Sequence, residues 1–483
     1  MQRIVHIWPA MTMKFALNFV LLQRQMAKIL KRDNMGDFDS EAWLARNPEI
    51  GNLRAAIFDL NGVLRGKRLP RNQLKKAING GIRMPLSSAN LDIWGRDIAN
   101  SKWVFETGDS DGGCFWTGRG PLPMPWTEQT TALVPLSLMD NAGKPFGGDA
   151  RNALAMTLDR FAALDLHPVV GFEMEFYLAN PQGGNDGQRA AAASPLTGAK
   201  PIHDGALAID EVNDHDSLIN EIYAACKLQM IEADTTSSEA GLGQFEINLV
   251  HSHDAMKAAD DAAFFKQIAK GVARKYGLAA SFMAKPYADR PGSGMHLHVS
   301  LLDGKGENVF DDGSDAGSPV LGHALAGGLA GLADCMLIFA PHQNSYRRFA
   351  IESHAPMAVC WGYENRTAAL RVPLGLPSQR RIEHRVSGAD ANPYLVLPAI
   401  LGAILPGLED QKPPPPPITS SSYALDLPSL PSSWDDAINY FTNSSVIARI
   451  LPETLRDMLI GCKIQELHRF SGDISPFEYH SYL

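Results

Sequence analysis

Apolar positions begin to follow a readable pattern at Leu53, where L-R-A-A-I-F-D-L-N-G-V-L-R-G-K-R-L-P runs apolar, turns at Asn61-Gly62 and runs apolar again. Asn-Gly between two apolar runs predicts a β-hairpin. Short apolar pieces separated by turns, such as Asp109-Ser110-Asp111-Gly112-Gly113, continue to Trp126 and predict a small β-rich unit. Over 150–164 the apolar spacing changes to three and four residues, which predicts a helix, and 169–178 returns to a strand. Further helices are predicted over 216–228 and 253–276, the second closed by Gly277. The Gly/Asn/Ala/Ser-rich stretch 180–200 reads as an exposed loop, and the five prolines 413–417 as a stiff surface spacer. The expected class is α+β, with a smaller domain over 35–139 and a larger one over 140–483.

Composition narrows the function. The chain has 483 residues, 45% hydrophobic and 20% charged, which is enough for two cores. A net charge of −9 argues against a nucleic-acid partner held on a basic surface. Five dispersed cysteines, an odd number without a CxxC pair, argue against a disulfide framework and for the reducing cytoplasm, with the thiols as small buried apolar groups. The first 34 residues carry Arg3, Lys14, Arg24, Lys28, Lys31 and Arg32 but no acid before Asp33. Their apolar run, 15–22, falls short of the roughly 20 residues of a membrane helix, so no membrane association is expected. They contain no serine, unlike most transit peptides. The simplest reading is a true start at Met26 or Met35, which leaves 1–34 outside the fold.

Four short segments carry candidate chemistry. In G-F-E-M-E-F-Y, Glu173 and Glu175 share one strand face. In E-A-G-L-G-Q-F-E, Glu239 and Glu246 flank a glycine-containing turn. In G-S-G-M-H-L-H, His296 and His298 again share a face after a glycine loop that includes Gly292. In R-I-E-H-R, Glu383 stands between Arg381 and Arg385. Singly, each also reads as a solvated acidic face, an exposed loop, a satisfied core histidine or a surface ion-pair ladder. Together they supply five glutamates and two histidines, and oxygen ligation with occasional imidazole suits Mg²⁺ or Mn²⁺ more than structural zinc. Arg347 and Arg348, with Arg366 and Arg371, add planar donors suited to phosphate. No Walker-type loop is present, so a nucleotide would be held by other means.

The ordered set GFEMEFYL, EAGLGQFE, GSGMHLH, NSYRR, NRTAALRVP and RIEHR resembles the glutamine synthetase family, and DLNGVLRGKRLP resembles that family's N-terminal β-grasp hairpin. The resemblance runs from about Leu53 to the C-terminus. It implies a β-grasp domain over 35–139 and a catalytic domain over 140–483, an antiparallel sheet backed by helices. It implies one metal on Glu175, Glu239 and Glu246 and a second on Glu173, His296 and Glu383, with two or three Mg²⁺ or Mn²⁺ ions per site. ATP would meet His298, Arg371 and Arg381, and Arg366, Arg371 and Arg381 would stabilise the moving phosphoryl group. Arg348, Arg385 and Gly292 would bind glutamate. The implied reaction phosphorylates the γ-carboxylate of glutamate and then exchanges phosphate for an amine, in a homo-oligomeric ring, hexamer or dodecamer, with active sites shared between subunits.

Three positions depart from the family pattern. His354 stands where a flap glutamate is expected, and an imidazole can accept a proton yet offers no fixed negative charge to ammonium. The segment Met84-Pro85-Leu86-Ser87-Ser88 lacks the aspartate of the family's ammonium loop. Pro291 replaces an asparagine beside the glutamate site. Metal and phosphate positions are retained while ammonium ligands are lost, which resembles the γ-glutamylpolyamine (γ-glutamylputrescine) synthetase branch. His354 therefore joins Arg366 and Arg371 as a catalytic candidate, and the expected substrates are glutamate and a small organic amine such as putrescine. The competing readings are ordinary glutamine synthetase and a non-catalytic ring protein. A cluster of carboxylates kept without cations argues against the last.

Overall fold

The computed structural model describes residues 38–183, 189–199 and 205–483, so the expectation for residues 1–34 lies outside the described residues. The predicted hairpin is present: β1 (Asn52–Phe58) pairs antiparallel with β2 (Leu64–Pro70), and Gly62 takes φ +70° in the turn. Asp59 secures that turn, accepting from the Val63 amide at 2.8 Å and from Arg65 Nε at 2.7 Å. β3 (Ile82–Pro85), β4 (Asp111–Trp116), β5 (Leu122–Met124) and β6 (Thr131–Met139) complete a six-stranded sheet of order β2-β1-β6-β4-β3, with β5 also on β6. β6 runs parallel to β1 and is buried along its whole length, which accounts for its largely apolar text.

A second sheet of nine strands follows. β7 (Leu166–Gly183), β8 (Arg189–Ala191), β9 (Ala233–Ser238), β10 (Gln244–Ser252), β11 (Ala279–Ser281), β12 (Met295–Asp303), β13 (Trp361–Tyr363), β14 (Leu370–Val372) and β15 (Ile382–His384) contribute to it. Its order is β13-β14-β15-β12-β7-β10-β9, with β8 and β11 on the far end of β7, and every pairing except β13 with β14 is antiparallel. This is the α+β arrangement the pattern predicted. The exposed loop expected over 180–200 is in part a hairpin arm: β7 extends to Gly183, pairs with β8, and leads to a fully buried Ala192. The small side chains that read as loop text allow that close pairing; residues 184–188 and Lys200 lie outside the described residues.

Helices Ala150–Ala162, Asp216–Leu228 and Ala255–Lys275 fall within three residues of their predicted bounds. The last is capped by Asp254, whose carboxylate accepts from the Lys257 amide, and Gly277 leaves it at φ +68°. It packs on β7 and β10 with Phe264 and Phe265 in the core. The helix Pro393–Asp410 has no sequence forecast because Pro398 and Pro406 interrupt its text. Among the described residues it is the one helix long and apolar enough to cross a membrane, and it is a core helix, buried along most of its length. All five cysteines are free and buried, as expected.

The last long helix, Glu453–Ser471, locks the first sheet to the rest of the molecule. Asn61 in the hairpin turn donates to Glu466 Oε1 at 2.9 Å and accepts from Lys463 Nζ at 2.6 Å. Lys463 and Glu466, both fully buried, pair at 2.9 Å, and the Ile93 amide donates to Glu466 at 2.7 Å. A buried ion pair is tolerable only when its remaining valences are met, which Asn61 and Ile93 do here.

His342 caps the short helical segment Gln343–Arg348, its ring accepting from the Ser345 amide while the Ser345 hydroxyl accepts from the His342 amide at 3.0 Å. Burial, then the charges of Lys463 and Lys266, hold its pKa well below the usual histidine value. Because the folded pKa is depressed, unfolding takes up a proton below about pH 6.5, and stability is lost as pH falls under that value. Wild type should therefore lose stability on this account by up to about 1.4 kcal/mol per pH unit below 6.5. His342→Asn, a capping residue that does not titrate, should show a shallower loss between pH 7.5 and 5.5 in thermal unfolding.

Candidate functional site

The register of the nine-stranded sheet collects the candidate residues. Glu173 and Glu175 project from one face of β7, its central strand. On one side Glu246 of β10 lies opposite Glu175; on the other His296 of β12 lies opposite Glu173. One strand further, Glu383 of β15 is opposite His298, and Arg371 of β14 is opposite Glu383. The intervening residues Phe172, Met174, Phe176, Ile247 and Leu297 turn the other way into the core. His384 also faces that way, 4.3 Å from the ring of Phe339, and burial pushes its pKa down to about 3.

Hydrogen bonds order the polar face. Glu173 meets His296 Nδ1 at 3.2 Å and His298 Nε2 at 2.8 Å. Arg381 Nε donates to His298 Nδ1 at 3.1 Å, so Nδ1 is the acceptor and Nε2 carries the proton given to Glu173. Burial raises the Glu173 pKa, but the two histidine contacts outweigh it and hold the carboxyl well below the usual range. Glu383 is fully buried and paired with Arg371 at 2.6 Å and with Arg385. Burial opposes its charge; Arg385, His296, His298 and Arg371 restore it, leaving a net lowered pKa.

The other carboxylates lack such partners. Burial and then the charges of Glu173, Glu175, Glu239 and Glu383 push Glu246 up to about 9. Burial and then Glu175 push Glu239 up to about 7. Two sets of donor atoms, Glu173–His296–Glu383 and Glu175–Glu246–His296, converge within 4.8 Å. The first matches the predicted grouping. In the second, His296 stands where Glu239 was expected; Glu239 is adjacent, the first residue of the β9–β10 turn, with its carboxylate 3.5 Å from Ser237 Oγ. Like-charged oxygens forced together in a buried setting fit divalent cations, which remove both the repulsion and the bound protons.

The remaining candidates surround this face. Arg348 is buried, donating to the carbonyls of Val386 at 2.9 Å and Arg385 at 3.3 Å. The Arg348 segment is anchored by Asn344, which exchanges two hydrogen bonds with the Lys285 backbone at 2.9 and 2.8 Å. Gly292 and Gly294 allow the arginine to approach: a Cβ on Gly292 would lie 2.7 Å from Arg348 Cγ, and one on Gly294 2.8 Å from both Arg348 Nη2 and His296 Nε2. Arg385 Nε donates to the Arg366 carbonyl at 3.0 Å, while the exposed Arg366 side chain acts electrostatically on Glu239. His354 lies in a separate exposed turn at φ +56°.

Some contributors had no local signal. Gln244 Nε2 reaches the Gly292 carbonyl at 3.0 Å and Glu175 at 3.5 Å, steadying the glycine loop. Asp390, half-buried and acting electrostatically on Arg348, accepts from the Ser345 hydroxyl at 2.5 Å. Asp109 accepts from the Ser87 hydroxyl at 2.5 Å, so an acid does stand at the 84–88 segment, brought there from the turn before β4.

Residues 147–482, more than half of the chain, match the model of the glutamine synthetase catalytic domain. The chain is 35% identical over 436 residues to gamma-glutamylputrescine synthetase of Escherichia coli K12, covering 90% of this chain and 92% of that one. It is 31% identical over 458 residues to glutamate–isopropylamine ligase of a Pseudomonas species, covering 90% and 95%. A solved complex of GmaS with ADP superimposes with a TM-score of 0.79 at 26% identity, over 91% of this chain and 98% of that one.

Divalent cation binding should release protons at neutral pH, and affinity for Mg²⁺ or Mn²⁺ should strengthen as pH rises toward 9, the value to which Glu246 is pushed. Calorimetry in buffers of different ionisation enthalpy reads the proton count. Glu175→Ala should lower Mn²⁺ affinity by at least about tenfold; an unchanged affinity would remove Glu175 from the ligand set.

Proposed function

We propose a carbon–nitrogen ligase activity from the premise that the chain belongs to the glutamine synthetase family, as the catalytic-domain match and the 35% identical relative establish. In this reading the enzyme joins the γ-carboxyl of glutamate to an organic amine such as putrescine at the expense of ATP. The observation that carries it is the convergence of four glutamates and His296 on one sheet face, bordered by Arg371, Arg381 and Arg366. Neutralising charge and holding groups in line are what phosphoryl transfer requires.

Bound by Glu173, His296 and Glu383, and by Glu175, Glu239 and Glu246, divalent cations would supply positive charge against the ATP phosphates. Arg348, Arg385 and the close backbone at Gly292 hold glutamate so that one γ-carboxylate oxygen faces the terminal phosphorus. That oxygen attacks, the bond to the bridging oxygen breaks, and ADP leaves. Arg366, Arg371 and Arg381 spread the charge of the moving phosphoryl group, and His298, fixed by Arg381 and Glu173, presents a defined ring edge to the phosphates. The amine nitrogen then attacks the acyl carbon of γ-glutamyl phosphate, phosphate leaves with the bonding electrons, and His354 accepts the proton the nitrogen loses. The reading includes a homo-oligomeric ring, hexamer or dodecamer.

An organic amine is favoured over ammonia by His354, which offers no fixed negative charge to ammonium, and by the names of the two amine-ligating relatives. The test is ADP release with glutamate and a panel of ammonia, ethylamine, ethanolamine, putrescine and spermidine. At least one organic amine should exceed ammonia in kcat/KM; ammonia outperforming all of them would overturn the reading. His354→Glu should shift the ratio toward ammonia by roughly tenfold or more, the effect of one added charge near a protein surface.

A further inference from the structure

The turn that carries His354 is held in an unfavourable conformation. Glu352 and His354 have φ of +63° and +56°, which residues with side chains keep only where the surroundings impose it. Part of the restraint is internal: the Ser353 hydroxyl donates to the Ala350 carbonyl at 2.6 Å and accepts from the Ala350 and Ala355 amides at 3.3 Å each. Part comes from a distant segment. The Tyr423 hydroxyl donates to the Ala355 carbonyl at 3.0 Å, across 68 residues of chain.

Tyr423 is itself anchored. It sits in the short turn Ser422–Ala424, where the Ser422 amide donates to Thr367 Oγ1 at 2.9 Å and the Ser422 hydroxyl to the Thr367 carbonyl at 2.7 Å. Asn365 Nδ2 adds a bond to the Ser420 carbonyl at 2.8 Å. This is the loop of Arg366, whose carbonyl takes Arg385 Nε at 3.0 Å, and Arg385 in turn pairs with Glu383. A continuous polar path therefore joins the exposed turn to the buried arginine and carboxylate face.

We infer that Tyr423 is a positioning residue whose hydroxyl holds the 350–355 turn, and with it His354, beside the buried pair Arg348 and Arg385. Burial pushes the phenol pKa up, although Ser353, Arg348, Arg385 and His354 pull against it, so the hydroxyl keeps the proton that it donates. The inference rests on the ligase reading in one respect: a turn held in place would keep water from the acyl phosphate until the amine arrives. Without the tether, water attacks the acyl carbon, and glutamate and phosphate form with no amide product.

The test compares wild type with Tyr423→Phe, which removes the hydroxyl and keeps the ring. In the free protein, hydrogen–deuterium exchange of peptides covering 350–357 should quicken by roughly fivefold, the effect of losing one hydrogen bond. In turnover, the γ-glutamyl amide formed per ADP should fall while affinity for ATP stays unchanged, a split that general loosening of the fold would not produce. Unchanged exchange overturns the tether whatever the activity. Faster exchange with an unchanged amide-to-ADP ratio overturns the shielding role. If wild type forms no γ-glutamyl amide, the ligase reading fails, and the exchange comparison alone decides the tether.

Discussion

Electrostatic crowding on one face of β7 is the constraint around which the molecule is arranged. Glu173 and Glu175 are two residues apart on a strand with neighbours on both sides, and those neighbours bring Glu246, His296 and, one strand on, Glu383 to the same place. The site handles this charge in two ways. Glu173 and Glu383 are neutralised by histidines and arginines within the chain. Glu175, Glu239 and Glu246 are left without cationic side chains in hydrogen-bonding contact among the described residues, and burial first, then their mutual repulsion, raises the pKa values of the last two. The protein has thus placed half of its compensation inside itself and left half to be supplied.

The rest of the architecture serves to keep that arrangement rigid. The apolar alternates of the same strands pack on the helix Ala255–Lys275, so the charged face cannot slip by one residue without burying glutamates in the core. The carboxylate face is accordingly built on strands. In the proposed reading the amine would be met by turns, 350–355 and the Tyr423 turn that tethers it. Strand geometry tolerates little change, whereas turns can be altered one at a time, which accords with a family whose members differ in the amine named and share the catalytic domain.

Much of this was legible in the text of the chain, and the reasons are specific. Periodicities of two and of three to four locate β7 and the helices Asp216–Leu228 and Ala255–Lys275 because each has one buried face. The pairs Glu173/Glu175 and His296/His298 announce themselves by alternation with apolar residues. Alternation cannot reveal which strands become neighbours, so the sharing of His296 between two donor groups, and the displacement of Glu239 from one of them, emerged only with the register. The helix Pro393–Asp410 was obscured by two internal prolines. Tyr423, Asp109 and Asp390 act through partners tens of residues away, and no local pattern marks them.

The Asn61–Lys463–Glu466 lock bears on how the chain is made. Asn61 leaves the ribosome 405 residues ahead of the glutamate it bonds. At roughly 5 to 20 residues per second, that interval is on the order of 20 to 80 s. Throughout it the hairpin turn can reach only partners made earlier, the Leu91 carbonyl and later the Asn392 side chain, and water occupies the valences that Lys463 and Glu466 will take. The first sheet is thus translated early and completed last, and the nascent protein presents an open seam, at the place where its two ends will meet, for as long as the intervening residues are being added.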